Sequence, residues 1–104
     1  MTATQIILNQ VKQQVQLIDT DARLILFGSR ARNEAKAFSD WDFLILTNKK
    51  VNLALKNQFT NQLIDLEQEN KAAFSTIVRN QEDWNTKYKV TDLYRNIIKE
   101  GIEI

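Results

Sequence analysis

Residues 23–47 read RLILFGSRARNEAKAFSDWDFLILT. Two short apolar runs, Arg23–Phe27 and Asp42–Thr47, flank a polar connection that begins with Gly28 and ends with two aspartates. Short apolar runs bounded by turn-forming residues are typical of buried strands. The stretch therefore predicts two strands, with charged and turn-forming residues gathered between them.

The second of these runs is apolar on both of its faces. Side chains alternate between the two faces of a strand, so one face carries Trp41, Phe43 and Ile45, and the other carries Leu44 and Leu46. Such a pattern predicts a central strand that is covered on both sides. Trp41 points away from the aspartates and is expected to pack in the core, whereas the pattern around Trp84 leaves core and interface both open.

The remaining elements follow from helical and strand periodicity. A capping box at Thr2 and Gln5 favours the first helix, and Gly101 is expected to end the last helix in the C′ role. We predict helices at 2–18, 53–69, from Asn80 onward and at 91–100, one or two helical turns at 29–34, a third strand at 73–78 and an edge strand at 102–104. The order αβαβαβααβ predicts an α/β (α+β) sandwich that forms a single domain over residues 1–104.

The composition excludes several classes of site. The chain has 104 residues, no cysteine and no histidine, which excludes disulfides, thiolate chemistry and imidazole ligands or bases. A metal would have to be held by oxygen atoms, which favours Mg²⁺, Mn²⁺ or Ca²⁺. The net charge of +1 gives no footprint for direct nucleic-acid binding. No membrane span or signal peptide is evident, so we expect a cytoplasmic protein.

The dipeptide Gly28-Ser29 follows the first strand directly. A strand that turns at Gly-Ser toward helical backbone leaves unpaired N–H groups that suit an anion such as phosphate. Arg30 and Arg32 add positive charge nearby. An ordinary turn explains the dipeptide equally simply when it is taken alone.

Asp40 and Asp42 stand two residues apart at the start of the second strand. Residues i and i+2 of a strand point to the same face, so two carboxylates here could converge on one or two Mg²⁺ ions. The simpler alternative is a turn followed by a solvated strand start. Asp42 nevertheless precedes a buried run, where a carboxylate needs a partner or a metal. With the Gly-Ser turn on a neighbouring strand, a nucleoside triphosphate would bridge turn and metal.

The motif FGSRAR…SDWDFLIL resembles the signature of the minimal nucleotidyltransferases of the DNA polymerase beta superfamily. Their pattern is Gly-Ser, usually Arg-x-Arg-Gly-x-Ala, and then Ser-Asp-x-Asp before an apolar strand. Asn33 stands where glycine is usual, and asparagine is a good substitute if that position has a positive φ. The tail from Leu93 to Ile102 is also similar to the tails of this family.

The resemblance implies a role for each matching residue. Gly28, Ser29, Arg30 and Arg32 would hold the triphosphate, and Asp40 and Asp42 would hold Mg²⁺ as catalytic ligands. Active members carry a third carboxylate on the following strand, where Ser75 is the best match in this chain. Serine cannot replace the charge of that carboxylate.

The resemblance also implies an activity and a partner. Minimal nucleotidyltransferases are typically antitoxins of a helical HEPN-type ribonuclease toxin, which they neutralise by transferring AMP to its tyrosine. We therefore expect an ATP-dependent protein adenylyltransferase with such a partner. The alternative is a catalytically weak or inactive nucleotide-binding module that neutralises or scaffolds its partner by binding alone. The sequence leaves open which nucleotide is used and whether the chain forms a homo-oligomer.

Overall fold

A four-stranded mixed sheet forms the centre of the computed structural model, which describes residues 1–104. Its middle strands are β1 (Arg23–Phe27) and β2 (Trp41–Thr47), which pair antiparallel. Strand β3 (Phe74–Asn80) pairs parallel to β2, and β4 (Ile102–Glu103) pairs antiparallel to β1. The strand order β3-β2-β1-β4 confirms the α/β class and the central position of the second predicted strand.

Helices α1 (Ala3–Ile18) and α2 (Leu53–Asn70) cover one face of the sheet. Trp41 is only 5% exposed and packs in this layer, as the strand alternation predicts. None of the helices in the structure combines the length and the apolar character that crossing a bilayer requires. The apolar side chains that fill the layer include Val11, Val15, Phe43, Ile45, Phe59 and Leu63.

The C-terminal helices cover the other face. They are α3 (Gln81–Asn85), a 3₁₀ turn at Lys87–Val90 and α4 (Asp92–Glu100). Trp84 is 2% exposed, and its ring lies 5.0 Å from that of Tyr94. The structure therefore places Trp84 in the core, a choice that the sequence pattern leaves open.

Local hydrogen bonds explain where the helices begin. Thr2 and Gln5 form the predicted capping box, and Asn80 and Thr91 cap α3 and α4. Gly101 ends α4, but the predicted C′ role is wrong, because its backbone is extended, with φ −67° and ψ 145°. Glycine fits there for another reason: a Cβ atom would press on the carbonyl oxygen of Ile97 and on Ile25.

The segment at 29–34 forms hydrogen-bonded turns, so the helical turns predicted there are wrong. The carbonyl oxygen of Gly28 accepts from the N–H groups of both Ala31 and Arg32. Gly28 has φ +73° and Asn33 has φ +59°. These left-handed residues interrupt right-handed helix geometry at either end of the segment. Asn33 thus has the positive φ that makes asparagine a good substitute for the glycine usual at this place in the motif.

The carboxylate of Asp19 ties the end of α1 to the end of β2. It accepts hydrogen bonds from the hydroxyl of Thr47 at 2.6 Å, from the N–H of Asp21 at 3.0 Å and from the N–H of Asn48 at 3.3 Å. Partial burial raises the pKa of Asp19, but these hydrogen bonds and the charge of Lys49 outweigh it, so the net pKa is lowered. The ionised carboxylate therefore stabilises the fold.

We expect Asp19→Ala to lower the free energy of unfolding by about 1–3 kcal/mol, because fully buried Thr47 loses an acceptor for its hydroxyl. A carboxyl with a depressed pKa contributes stability above its unfolded pKa and loses it as the pH falls through the folded pKa. The deficit in urea titrations should thus be largest at neutral pH and shrink in acid. Asp21→Ala is the control, because Asp21 is exposed; equal losses in both variants would contradict this role for Asp19.

Candidate functional site

The backbone of Gly28 lies directly against the carboxylate of Asp42. The antiparallel register pairs Phe27 with Asp42, so the turn after β1 meets the second residue of β2. A Cβ atom at position 28 would overlap with the carboxylate of Asp42. The left-handed φ of Gly28 is a second reason why this position suits glycine. The structure thus brings the Gly-Ser turn and the second aspartate into contact.

The turn presents free hydrogen-bond donors. The N–H groups of Ser29 and Arg30 donate to no acceptor within the chain. The hydroxyl of Ser29 is also without a partner, whereas the N–H of Gly28 donates to Glu100 at 3.3 Å. Adjacent free backbone amides at a turn can bind an oxyanion.

The carboxylates of Asp40 and Asp42 make no ion pair or hydrogen bond within the chain. The pKa of Asp42 is raised, mainly by burial and then by the negative charge of Asp40. Arg32 opposes this rise in the pKa of Asp42 through its positive charge, and Glu100 adds to it. Two unpaired carboxylates at the end of a buried strand are a source of uncompensated negative charge.

The two arginines have different surroundings. The guanidinium of Arg30 donates to the carbonyl oxygens of Ser39 (2.9 Å) and Lys36 (3.4 Å), and it lies 4.1 Å from the ring centre of Trp41. Its side chain therefore holds the loop onto the sheet rather than facing the free amides. Arg32 extends instead to the carboxylate of Glu100, at 3.0 Å.

Ser75 is placed beside Asp42 by the parallel pairing of β2 and β3. Residues paired in this way point to the same face of a sheet. Ser75 is exposed, and its neighbour Thr76 pairs with Phe43 on the opposite face. The structure brings Ser75 to the end of the sheet where Asp42 lies.

Glu100 is the site residue that sequence reasoning missed. It is the last residue of α4, 72 positions along the chain from Gly28, to which it hydrogen-bonds. The resemblance of the tail from Leu93 to Ile102 covers Glu100 but implies no role for it, and a glutamate at the end of an amphipathic helix is usually solvated. Its contact with Gly28 becomes visible only in the folded chain, where the end of α4 lies beside the turn that follows β1.

A groove of about 570 Å³ opens behind the same loop. It is lined by Arg30, Phe38, Ser39 and Trp41 together with the end of α2, and by none of Gly28, Ser29, Asp40 or Asp42. Phe38 at this groove is 98% exposed. The groove lies on the α1/α2 side of the sheet, so it is distinct from the surface that carries the unpaired carboxylates.

A sequence model of the nucleotidyltransferase domain family matches residues 5–104. The chain belongs to this family. Its fold is similar to that of a chain in a crystal structure of a toxin–antitoxin with AMP-PNP, with a TM-score of 0.67 and 14% identity over 91% of this chain and 69% of the other. At that identity the likeness establishes the fold alone. No curated protein matches this chain in sequence at a significant level.

Nucleotidyltransferase domains generally use a nucleoside triphosphate and a divalent metal, and the donor set here fits Mg²⁺. Asp40 and Asp42 offer hard oxygen atoms without internal partners. No group of three or more acidic side chains in the structure is arranged to hold a metal. Mg²⁺ is commonly bound by one or two carboxylates together with substrate phosphates and water. Two aspartates are therefore a sufficient protein contribution, provided that the triphosphate supplies further oxygen atoms.

The raised pKa of Asp42 predicts a stability cost in the metal-free protein. A carboxyl whose folded pKa exceeds its unfolded pKa destabilises the fold once the pH is above both values, and the cost disappears below both. Asp42→Asn should therefore raise the melting temperature at pH 7, and the gain should vanish in acid. Added Mn²⁺ should raise the melting temperature of the wild type and leave that of Asp42→Asn unchanged.

The control for this experiment is Asp65→Asn, because Asp65 is exposed on α2, on the other side of the sheet. Scanning calorimetry from pH 4 to 8 measures both effects. A wild type and an Asp42→Asn variant with the same pH profile would contradict the electrostatic account.

Proposed function

We propose that this domain binds a nucleoside triphosphate with Mg²⁺ and transfers AMP to a hydroxyl group of a partner protein, as the antitoxin of a helical HEPN-type toxin. One observation carries the proposal: the free donors of Ser29 and Arg30 lie in the turn that begins at Gly28, and the backbone of Gly28 contacts the unpaired carboxylate of Asp42. Donors for an oxyanion and ligands for a cation are what a metal-bound triphosphate requires at one place.

The turn would bind the phosphates. The free N–H groups of Ser29 and Arg30 and the hydroxyl of Ser29 would donate to phosphate oxygen atoms. Gly28 permits a close approach because it has no side chain, and Arg32 adds a positive charge beside Asp42. Arg30 would contribute through its backbone, since its guanidinium is engaged by loop carbonyls and by Trp41.

Asp40 and Asp42 would hold the metal, which when bound neutralises charge on the phosphates and polarises the α-phosphorus. In the transfer, the acceptor hydroxyl oxygen forms a bond to the α-phosphorus. The bond from that phosphorus to the oxygen bridging to the β-phosphate breaks, and pyrophosphate leaves with the electron pair. The hydroxyl proton passes to solvent or to an available carboxylate.

The acceptor on this account is a protein side chain. The carboxylates lie at an open end of the sheet, and the groove beside Trp41 is lined by neither Asp40 nor Asp42. A macromolecular acceptor would reach such a surface directly. The similar fold found in a toxin–antitoxin with AMP-PNP supports a toxin partner, and the resemblance to the minimal nucleotidyltransferases supports a HEPN-type one.

A second candidate function is neutralisation of the partner by binding alone. Ser75 favours it, because a serine stands beside Asp42 where active relatives carry a third carboxylate. Glu100 is not free to replace that carboxylate, since both of its oxygen atoms are engaged by Arg32 and one also by Gly28. Under the lead proposal, we therefore expect the transfer of AMP to be slow.

The direct test measures incorporation of label from α-³²P-ATP into the purified partner. Wild type should label the partner in the presence of Mg²⁺, whereas Asp42→Asn should not. Label on the γ-phosphate should leave with pyrophosphate and give no incorporation. If ATP binds in a Mg²⁺-dependent manner and toxin activity falls without any label transfer, binding alone is the function.

Ser75→Asp should accelerate the transfer. A carboxylate on β3 beside Asp42 would accept the hydroxyl proton, and general-base assistance is typically worth about 10²–10⁴-fold. Thr76→Asp is the matched control, because Thr76 pairs with Phe43 on the opposite face, where an unpaired charge would destabilise the core. A robust wild-type rate that Ser75→Asp leaves unchanged would mean that no base at this position is needed.

A further inference from the structure

The carboxylate of Glu100 makes a closely spaced set of contacts at the site. Oε1 accepts from the N–H of Gly28 at 3.3 Å and from Nη1 of Arg32 at 3.2 Å, and Oε2 accepts from the same Nη1 at 3.0 Å. Its side chain is 21% exposed, against 42% for Arg32. Hydrogen bonds between guanidinium and carboxylate are among the stronger ones in proteins, and partial burial reduces their screening.

A third carboxylate, that of Asp42, lies within electrostatic reach of Arg32. The charge of Arg32 opposes the rise in the pKa of Asp42, yet Arg32 donates no hydrogen bond to Asp42 and bonds to Glu100 and Glu34 instead. Gly28 lies between Glu100 and Asp42, because its N–H donates to Glu100 and a Cβ atom at this position would overlap with the carboxylate of Asp42. A guanidinium released from Glu100 would therefore have the unpaired carboxylate of Asp42 close by. An arginine bonded to Asp42 would occupy the oxygen atoms that a cation needs.

Contacts other than those of Glu100 already hold the end of α4 in place. Ile97 anchors that helix in the core at 3% exposure, and Gly101 packs against Ile25. Directly after it, Ile102 pairs with Leu26 in the sheet. The ion pair of Glu100 is thus an addition to an end of α4 that is already fixed.

We infer that Glu100 is a positioning residue that keeps Arg32 away from Asp42, so that Asp42 remains free to bind the cation. The inference rests on the proposed metal site and assigns to α4 a part in it. Glu100 holds the guanidinium at the edge of the site, beside the turn, where it can meet a phosphate. Glu100 itself would contact neither the metal nor the nucleotide.

The test measures Mn²⁺ binding by the full chain in the absence of nucleotide. Glu100→Gln keeps an oxygen acceptor for Gly28 and removes the charge that holds Arg32. We expect it to weaken Mn²⁺ binding about 10- to 100-fold, by analogy with the loss of other groups that act on a metal site without binding the metal. Arg32→Ala should bind Mn²⁺ at least as tightly as wild type, and the double variant Glu100→Gln/Arg32→Ala should return to near that affinity.

Glu103→Gln is the matched control. Glu103 lies on β4, outside the site, and forms an ion pair with Arg23 on β1. Removal of the charge of Glu103 should therefore leave Mn²⁺ binding unchanged. A merely structural role for Glu100 would predict similar thermal destabilisation in the single and double variants, with no recovery of Mn²⁺ affinity. Recovery in the double variant is therefore the distinguishing result.

Each other outcome overturns a specific statement. If wild type binds no Mn²⁺, the proposed metal site fails, and the inference fails with it. If wild type binds and Glu100→Gln binds equally well, only the inference fails. It fails also if the double variant binds as weakly as Glu100→Gln. Should Glu100→Gln not fold, Arg32→Ala still decides, because weaker binding than wild type would contradict the inference.

Discussion

The contact between the backbone of Gly28 and the carboxylate of Asp42 is the constraint on which the site depends. It exists because β1 and β2 pair antiparallel with Phe27 opposite Asp42. A shift of the register by one residue would turn Asp42 toward the layer of α1 and α2, and it would move Phe43 out of that layer to the face of the C-terminal helices. The packing of β2 in both layers therefore fixes the position of the carboxylate together with the core.

The same arrangement carries an electrostatic cost. Asp42 has no hydrogen-bonding partner, and its pKa is raised by partial burial and by the negative charge of nearby Asp40. The two apolar layers around β2 provide the stability that offsets the cost, since hydrophobic burial is the dominant favourable contribution to folding. Arg32 reduces the cost through its positive charge, but its hydrogen bonds go to Glu100 and Glu34 rather than to Asp42. The partly buried, unpaired carboxylate of Asp42 therefore lowers the stability of the fold at neutral pH.

Much of the fold was predictable because its signals are local. Alternation in β2, the capping box at Thr2 and the cap at Asn80 each involve residues within a few positions of one another. The errors arose where backbone conformation depends on more than residue type. The segment 29–34 turns instead of forming a helix because Gly28 and Asn33 adopt positive φ, and Gly101 is required by a tight contact with Ile97 rather than by a left-handed cap.

The sequence by itself determined the class of the fold, the buried central strand, and the motif that places a Gly-Ser turn and two aspartates around it. These follow from periodicity and spacing, which act over short stretches of chain. Only the tertiary structure decided how the charged groups are shared: Arg30 bonds to carbonyl oxygens of its own loop, and Arg32 bonds to Glu100. Arg32 and Glu100 are 68 positions apart in the sequence, and no local pattern encodes which of several opposite charges a side chain will meet.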